Sequence, residues 1–200
     1  MSANMANEAP LARSPVTAPP ASGSWRRFWR PSHPPDERRD LAPNLSWREL
    51  VNRSDAHILD IRSRQSSGLS ETLLIALIDT TGAARFVAMG RTLKPSTAAA
   101  STALPWPEVH GHLVQALESA SVVLTWDASS KAHLLARIAR SHGLSLPPIP
   151  WRDLRADYRR FGYPGDSLTA AAKRHVNGAL VSGPLASCHL ALAVMKACGR

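Results

Sequence analysis

The sequence predicts an α/β domain, and three observations lead there. Runs rich in Ile, Leu and Val recur at 57–62, 72–79 and 85–90, the last two joined by Thr80-Thr81-Gly82. Such runs have the composition of consecutive, largely buried strands. A helix-period segment at 107–118, a fourth apolar run at 121–125 and further helix-period segments follow. The first run carries Asp60 at its centre. A lone carboxylate in an apolar strand must be paired, hydrogen-bonded or metal-bound to offset its desolvation.

Two hundred residues suit one folded domain of 45–200 preceded by a tail of 1–44. No apolar run approaches the roughly 20 residues that span a bilayer. Residues 1–10 lack the charged-then-apolar plan of a signal peptide. The expected location is therefore cytoplasmic. Cys188 and Cys198 fall on one predicted helix, too far apart along its axis to bridge, so both are expected to be reduced packing residues.

The net charge of +9 favours polyanionic partners, because Lys and Arg attract phosphates and release their counterions. Arginine dominates: Lys94, Lys131, Lys173 and Lys196 are the only lysines among 24 basic residues. An abundance of Ala, Arg and Pro is equally what GC-rich coding produces, so charge alone leaves both readings open.

Residues 1–44 hold eight of the sixteen prolines and little apolar periodicity, which predicts a disordered extension. Within it Trp25-Arg26-Arg27-Phe28-Trp29-Arg30 interleaves aromatics with arginine. Trp25, Phe28 and Trp29 are candidate anchors for a protein partner, with a non-specific tail segment as the alternative. Order is expected from Ser46-Trp47-Arg48-Glu49, a capping box that opens a short helix to about 52. Val109, Leu113 and Leu117 define the buried stripe of 107–118, and His110 and His112, on different faces, read as surface histidines. Residues Asp127 to Ser130 offer N-caps for a helix to 142, stopped by Gly143 and striped by Leu134, Leu135, Ile138 and Ala139. Prolines break the chain at 147–150, helices are predicted at 153–161 and 167–175, and a last helix starts at Pro184. Leu185, Cys188, Leu192 and Met195 line one side of it. Arg137, Arg140, Arg155, Arg159, Lys173 and Arg174 are the candidate nucleic-acid-binding set, with solvated helix faces as the alternative.

Several short pieces occur in a common order. They are Ile58-Leu59-Asp60 with Gly68-Leu69 behind it, Ala76 through Gly82, Trp106-Pro107-Glu108-Val109, and Val122-Val123-Leu124 leading into Ala128-Ser129. Arg140 through Leu144, Trp151 and Leu185-Ala186 complete the series. In this order 46–198 resembles the DEDDh 3'-5' exonucleases of the DNA polymerase III epsilon-subunit type. That resemblance implies a ribonuclease H-like mixed sheet, three antiparallel strands then a parallel one, flanked by helices.

In that family four carboxylates bind two Mg²⁺ or Mn²⁺ ions and a histidine activates the attacking water, the two metals clamping the attacking and leaving oxygens. Position by position, the resemblance puts Asp60 on the first family acid and Arg62 on the second. Lys131 stands where another aspartate belongs, and Ser182 and Ser187 where the histidine and last aspartate belong. Asp60 is thus the one retained catalytic and metal-binding position. Fixed cations beside it repel a metal, so Arg62 and Lys131 are expected to take over the metal's charge and pair with Asp60. A register shift could instead bring in Glu71, Asp79, Asp127 or Asp166, although Asp79 reads as a turn residue and Asp127 as an N-cap. His175 and His189 are alternative bases that read as helix-surface residues.

The expected function is an exonuclease-like domain without catalysis, acting by nucleic-acid binding or in a replication or repair complex, with no cofactor. An active enzyme using Mg²⁺ or Mn²⁺, and an interaction module acting through the Trp/Arg tail, are the alternatives.

Overall fold

A short helix enters the domain through the capping box at Ser46, whose hydroxyl accepts from Glu49 N while Glu49 Oε2 accepts from Ser46 N. The computed structural model describes residues 45–65, 71–92, 103–165, 167–176 and 182–199, within one compact unit of Pro35–Arg200. Helix α1 is Trp47–Val51. Three strands follow, β1 (Ala56–Gln65), β2 (Glu71–Asp79) and β3 (Ala84–Arg91). Then come β4 (Leu104–Pro105), α2 (Trp106–Glu118), β5 (Val122–Thr125) and α3 (Ala128–Ser141). The chain closes with β6 (Trp151–Asp153), α4 (Leu154–Arg160), α5 (Leu168–His175) and α6 (Pro184–Cys198).

The six strands form one mixed sheet in the order β4-β3-β2-β1-β5-β6. Strands β1, β2 and β3 are mutually antiparallel, whereas β5 runs parallel to β1 and β6 parallel to β5. β1 is central. Strand alternation sends Ala56 and Ile58 into a core with Trp47, Tyr158, Ala171, Cys188 and Val194 from α1, α4, α5 and α6. Leu59 and Ile61 enter a second core with Trp106, Val109, Leu113, Leu135 and Ile138 from α2 and α3. Burying each such Leu or Ile contributes about 1.5–3 kcal/mol, so both layers are held to β1 by ordinary apolar burial. Gly90 permits the closest approach of α2, since a Cβ there would lie 3.3 Å from Val109 Cγ2. No helix among the described residues is long and apolar enough to cross a membrane.

Two strands depart from the expectation. β4 and β6 span two and three residues, too short for any periodicity, and exist because β3 and β5 offer free edges. The helix expected from 153 therefore starts at Leu154, with Asp153 as its N-cap; Asp153 Oδ1 accepts from Arg155 N and Ala156 N, and Oδ2 from Ala128 N at the head of α3. His110 is buried rather than on the surface, its Nε2 3.1 Å from Ser145 O and its ring edge-on to Trp106. Leu134 is half-buried, outside the fully buried Leu135, Ile138 and Ala139. Cys188 and Cys198 are both free thiols. Trp25, Phe28, Trp29, Gly68, Leu69 and Asp166 lie outside the described residues, as does the whole of 1–44.

A buried polar knot ties α1 to α4. Asp157 accepts from Trp47 Nε1 at 3.2 Å, from Arg152 Nε at 2.6 Å and from Arg160 Nη1 at 3.3 Å. Tyr158 beside it stacks on Tyr163 with centroids 4.7 Å apart. Removing one partner of a buried pair leaves the other charge uncompensated. Asp157→Ala is expected to lower the unfolding free energy by about 3 kcal/mol by removing the buried acceptor shared by Trp47, Arg152 and Arg160, with urea denaturation as the check.

Candidate functional site

Parallel pairing of β1 with β5 ends at Ile58 opposite Leu124, yet β1 continues to Gln65 while β5 stops at Thr125. The region beyond the carboxyl ends of parallel strands is where open α/β sheets gather ligand-binding groups. Asp60 and Arg62 lie there, two and four residues past the last pair and, by strand alternation, on one face. β5 turns into α3 through Asp127, which adopts the left-handed conformation (φ 71°) and caps the helix by accepting from Ser130 N. That turn delivers Lys131, in the first turns of α3, to the middle of β1.

Lys131 Nζ is 2.8 Å from Asp60 Oδ1 and donates to Ile61 O at 2.6 Å. Arg62 Nε is 3.2 Å from Asp60 Oδ2, and its Nη2 donates to Ser187 Oγ on α6. Both carboxylate oxygens are thus engaged by fixed cations. The cluster of one anion and two cations carries a net charge of +1. Asp60 is 14% exposed and Lys131 20%, whereas Arg62 is 46% exposed, so the Lys131 pair is the better shielded from water.

These residues do not fit Mg²⁺ or Mn²⁺. Such ions want several oxygen ligands, and two cations at contact distance repel by about 4 kcal/mol even at an effective dielectric near 20. Here one carboxylate is already shared by two cations, and no group of three or more His, Cys, Asp or Glu that could hold a metal occurs among the described residues.

The other candidate acids are used locally. Asp79 Oδ1 accepts from Thr81 N, Thr81 Oγ1 and Ala83 N, and Oδ2 from Arg85 Nε. Burial pushes its carboxyl up, and these hydrogen bonds outweigh that push and hold it below its ordinary value. Asp127 caps α3, and the side chain of Glu71 lies, with Asp166, outside the described residues. Of the alternative bases, His175 is tied up, its Nε2 2.9 Å from Tyr158 Oη, while His189 is exposed beside the Gly82 turn. Ser182 is exposed ahead of α6 and Ser187 is buried against Arg62. The Cys188 thiol, a donor to Ala76 O, is pushed up to about 12 by burial, with the Asp60 charge adding to the effect. It is no nucleophile at neutral pH.

The structure does not bring the six basic candidates together. Arg137 and Arg140 are exposed on α3, which packs on one face of the sheet. Arg155, Arg159, Lys173 and Arg174 sit on α4 and α5, which pack on the other. Several of them are partly committed within the chain, Arg159 Nη2 donating to Gly165 O at 3.5 Å. Arg155 Nε and Nη2 donate to Gly165 O, and Arg174 Nη1 donates to Tyr158 Oη. Spacing along the sequence could not reveal the split, because the sheet separates helices that are neighbours in the chain.

Sequence reasoning also missed His57. It is 3% exposed, and its Nδ1 is buried without a hydrogen-bond partner among the described residues. Burial, then the Arg85 charge, holds its pKa below the usual histidine value against the pull of Asp79 and Asp55. Burial likewise lowers His110. Only its place inside a strand rich in Ile and Leu hinted at this burial.

Asp60→Ala leaves Lys131 and Arg62 facing each other and is expected to lower unfolding free energy by about 1–3 kcal/mol in urea denaturation. Lys131→Met, which leaves Arg62 on Asp60, is expected to cost less. Burial in the fold disfavours the protonated forms of His57 and His110, while in the unfolded chain each binds a proton below about pH 6.5. Stability is therefore expected to fall as pH drops from 7.5 through 6.5 to about 5.5, and His57→Phe to flatten that dependence, read by urea midpoints.

No family model matches the chain, and no curated protein matches it. The chain is similar to a structure of the yeast NOT1 MIF4G domain co-crystallised with CAF1. The likeness spans 79% of this chain and 82% of that one, with 14% identity and a TM-score of 0.40. A likeness at that level carries no argument about function. Membership of the DEDDh exonucleases, which the ordered short motifs implied, is accordingly corrected: none of these comparisons assigns the chain to that family.

Proposed function

We propose that this domain binds nucleic acid without cutting it. The observation that carries the reading is Asp60 clamped between Lys131 at 2.8 Å and Arg62 at 3.2 Å. Phosphodiester hydrolysis by metal ions needs a carboxylate-rich site that concentrates positive charge on the leaving and attacking oxygens. A carboxylate paired with two tethered cations leaves the site net positive, which favours phosphate and disfavours a metal ion. The net charge of +9 supports the same reading, because each phosphate contacted by Lys or Arg releases condensed counterions. We read the sheet, with its antiparallel β1-β2-β3 and parallel β5, as ribonuclease H-like in its finer architecture.

The test is fluorescence anisotropy with a labelled single-stranded oligonucleotide, paired with gel analysis of the same oligonucleotide after incubation with Mg²⁺ or Mn²⁺. Affinity is expected to fall steeply, by about tenfold or more, between about 50 and 200 mM salt, without shortening of the strand. Undetectable binding at low salt would remove nucleic acid as the partner. Shortening that Asp60→Ala abolishes would remove the non-catalytic half of the reading.

A further inference from the structure

Helix α6 lies across β1 and β2, and the face of the sheet that it leaves open presents arginines over an apolar floor. We propose that this face is the surface on which a single strand of nucleic acid lies, its phosphates held by Arg62, Arg64 and Arg91. The proposal rests on the nucleic-acid-binding reading and names its contact surface.

The register builds the face row by row. Arg64, Thr72 and Arg91 lie opposite one another on β1, β2 and β3; Arg62, Leu74 and Met89 form the next row; Asp60, Ala76 and Val87 the third. Alternate residues of these strands, Leu59, Ile61, Leu73, Ile75, Leu77, Phe86 and Ala88, point into the core under α2 and α3. The rows therefore project to the opposite side, where Ala76 and Ile58 pack under α6. Cover by α6 fades away from Ala76. Leu74 and Met89 are half-buried, Arg64 is exposed, and Val87 is 57% exposed.

Charge selects the occupant. Neither Arg64 nor Arg91 forms an ion pair with a described residue, and the one acid in these rows, Asp60, is outweighed by Arg62 and Lys131. A second copy would bring the same cationic face and be repelled. Residues 1–44, with six arginines against four acids, bring no excess negative charge either. A phosphodiester backbone supplies it. Strand geometry sets Arg62 and Arg64 about 7 Å apart along β1, and Arg64 and Arg91 about 10 Å apart across two inter-strand spacings. Guanidinium groups there can grip phosphates bidentately, and their flat faces, with Leu74 and Met89, can support bases without reading them. No aromatic residue stands in these rows, so the contact is expected to depend on phosphates more than on base identity.

The experiment uses the full chain and an oligonucleotide carrying 4-thiouridine, measured by anisotropy and by mass spectrometry of photo-crosslinked peptides. Arg64→Ala combined with Arg91→Ala is expected to weaken binding about tenfold and to reduce the slope of log affinity against log salt by about 1.4, two phosphate contacts at about 0.7 each. Arg64→Lys with Arg91→Lys should keep the wild-type slope, and crosslinks should fall within Ala56–Gln65 or Glu71–Arg91. If the wild type binds but the double alanine variant binds equally well with an unchanged slope, or if crosslinks fall only in α4 and α5, the sheet face is overturned while nucleic-acid binding stands. Absence of wild-type binding at low salt overturns both.

Discussion

The domain depends on the first half of β1 being covered on both faces while paired on both edges. It exchanges hydrogen bonds with β2 on one side and β5 on the other, and its alternate residues enter two separate cores. A strand in that position has little water beside it, so a charge near its middle must meet another charge. Asp60 meets two. Arg62 comes from the same strand and face, whereas Lys131 arrives only because β5 runs parallel to β1 and launches α3 at the same end of the sheet. The parallel pairing and the composition of the site are one constraint.

Lys131 Nζ makes contacts of the kind a small cation would make, to a carboxylate oxygen and a backbone carbonyl, at 2.8 and 2.6 Å. A tethered ammonium differs from a bound ion in that it cannot leave, and it brings one charge instead of two. It satisfies Asp60 permanently and leaves the surroundings mildly positive. Such a centre is suited to holding an anion and poorly suited to stabilising the doubly charged transition state of phosphoryl transfer. The basic residues of the helices divide into sets that the sheet keeps apart.

Much of the architecture was legible in the chain. The capping box at Ser46, the Asp79 turn, the Asp127 N-cap and the apolar stripes of α2 and α6 are local signals, and local hydrogen bonding or periodicity is enough to produce them. Family membership was not. Ile58-Leu59-Asp60, Val122-Val123-Leu124 and similar pieces are what buried strands and helix caps require in any α/β domain of this element order, so their succession is weak evidence of descent. The buried His110 and the Asp157 knot were missed for the opposite reason. Their partners, Ser145 for one and Trp47 for the other, are distant in sequence.

The sequence by itself determined the longer strands and the helices, because period and capping act over a few residues. It also determined that Asp60 needs a partner, since desolvation of a carboxylate is costly wherever the strand is buried. Only the tertiary structure decided which partners it has, how the short strands β4 and β6 complete the sheet, and that Arg137 and Arg140 lie across the sheet from Arg159 and Lys173. Those outcomes depend on strand order and direction, which bring distant residues within a few ångströms.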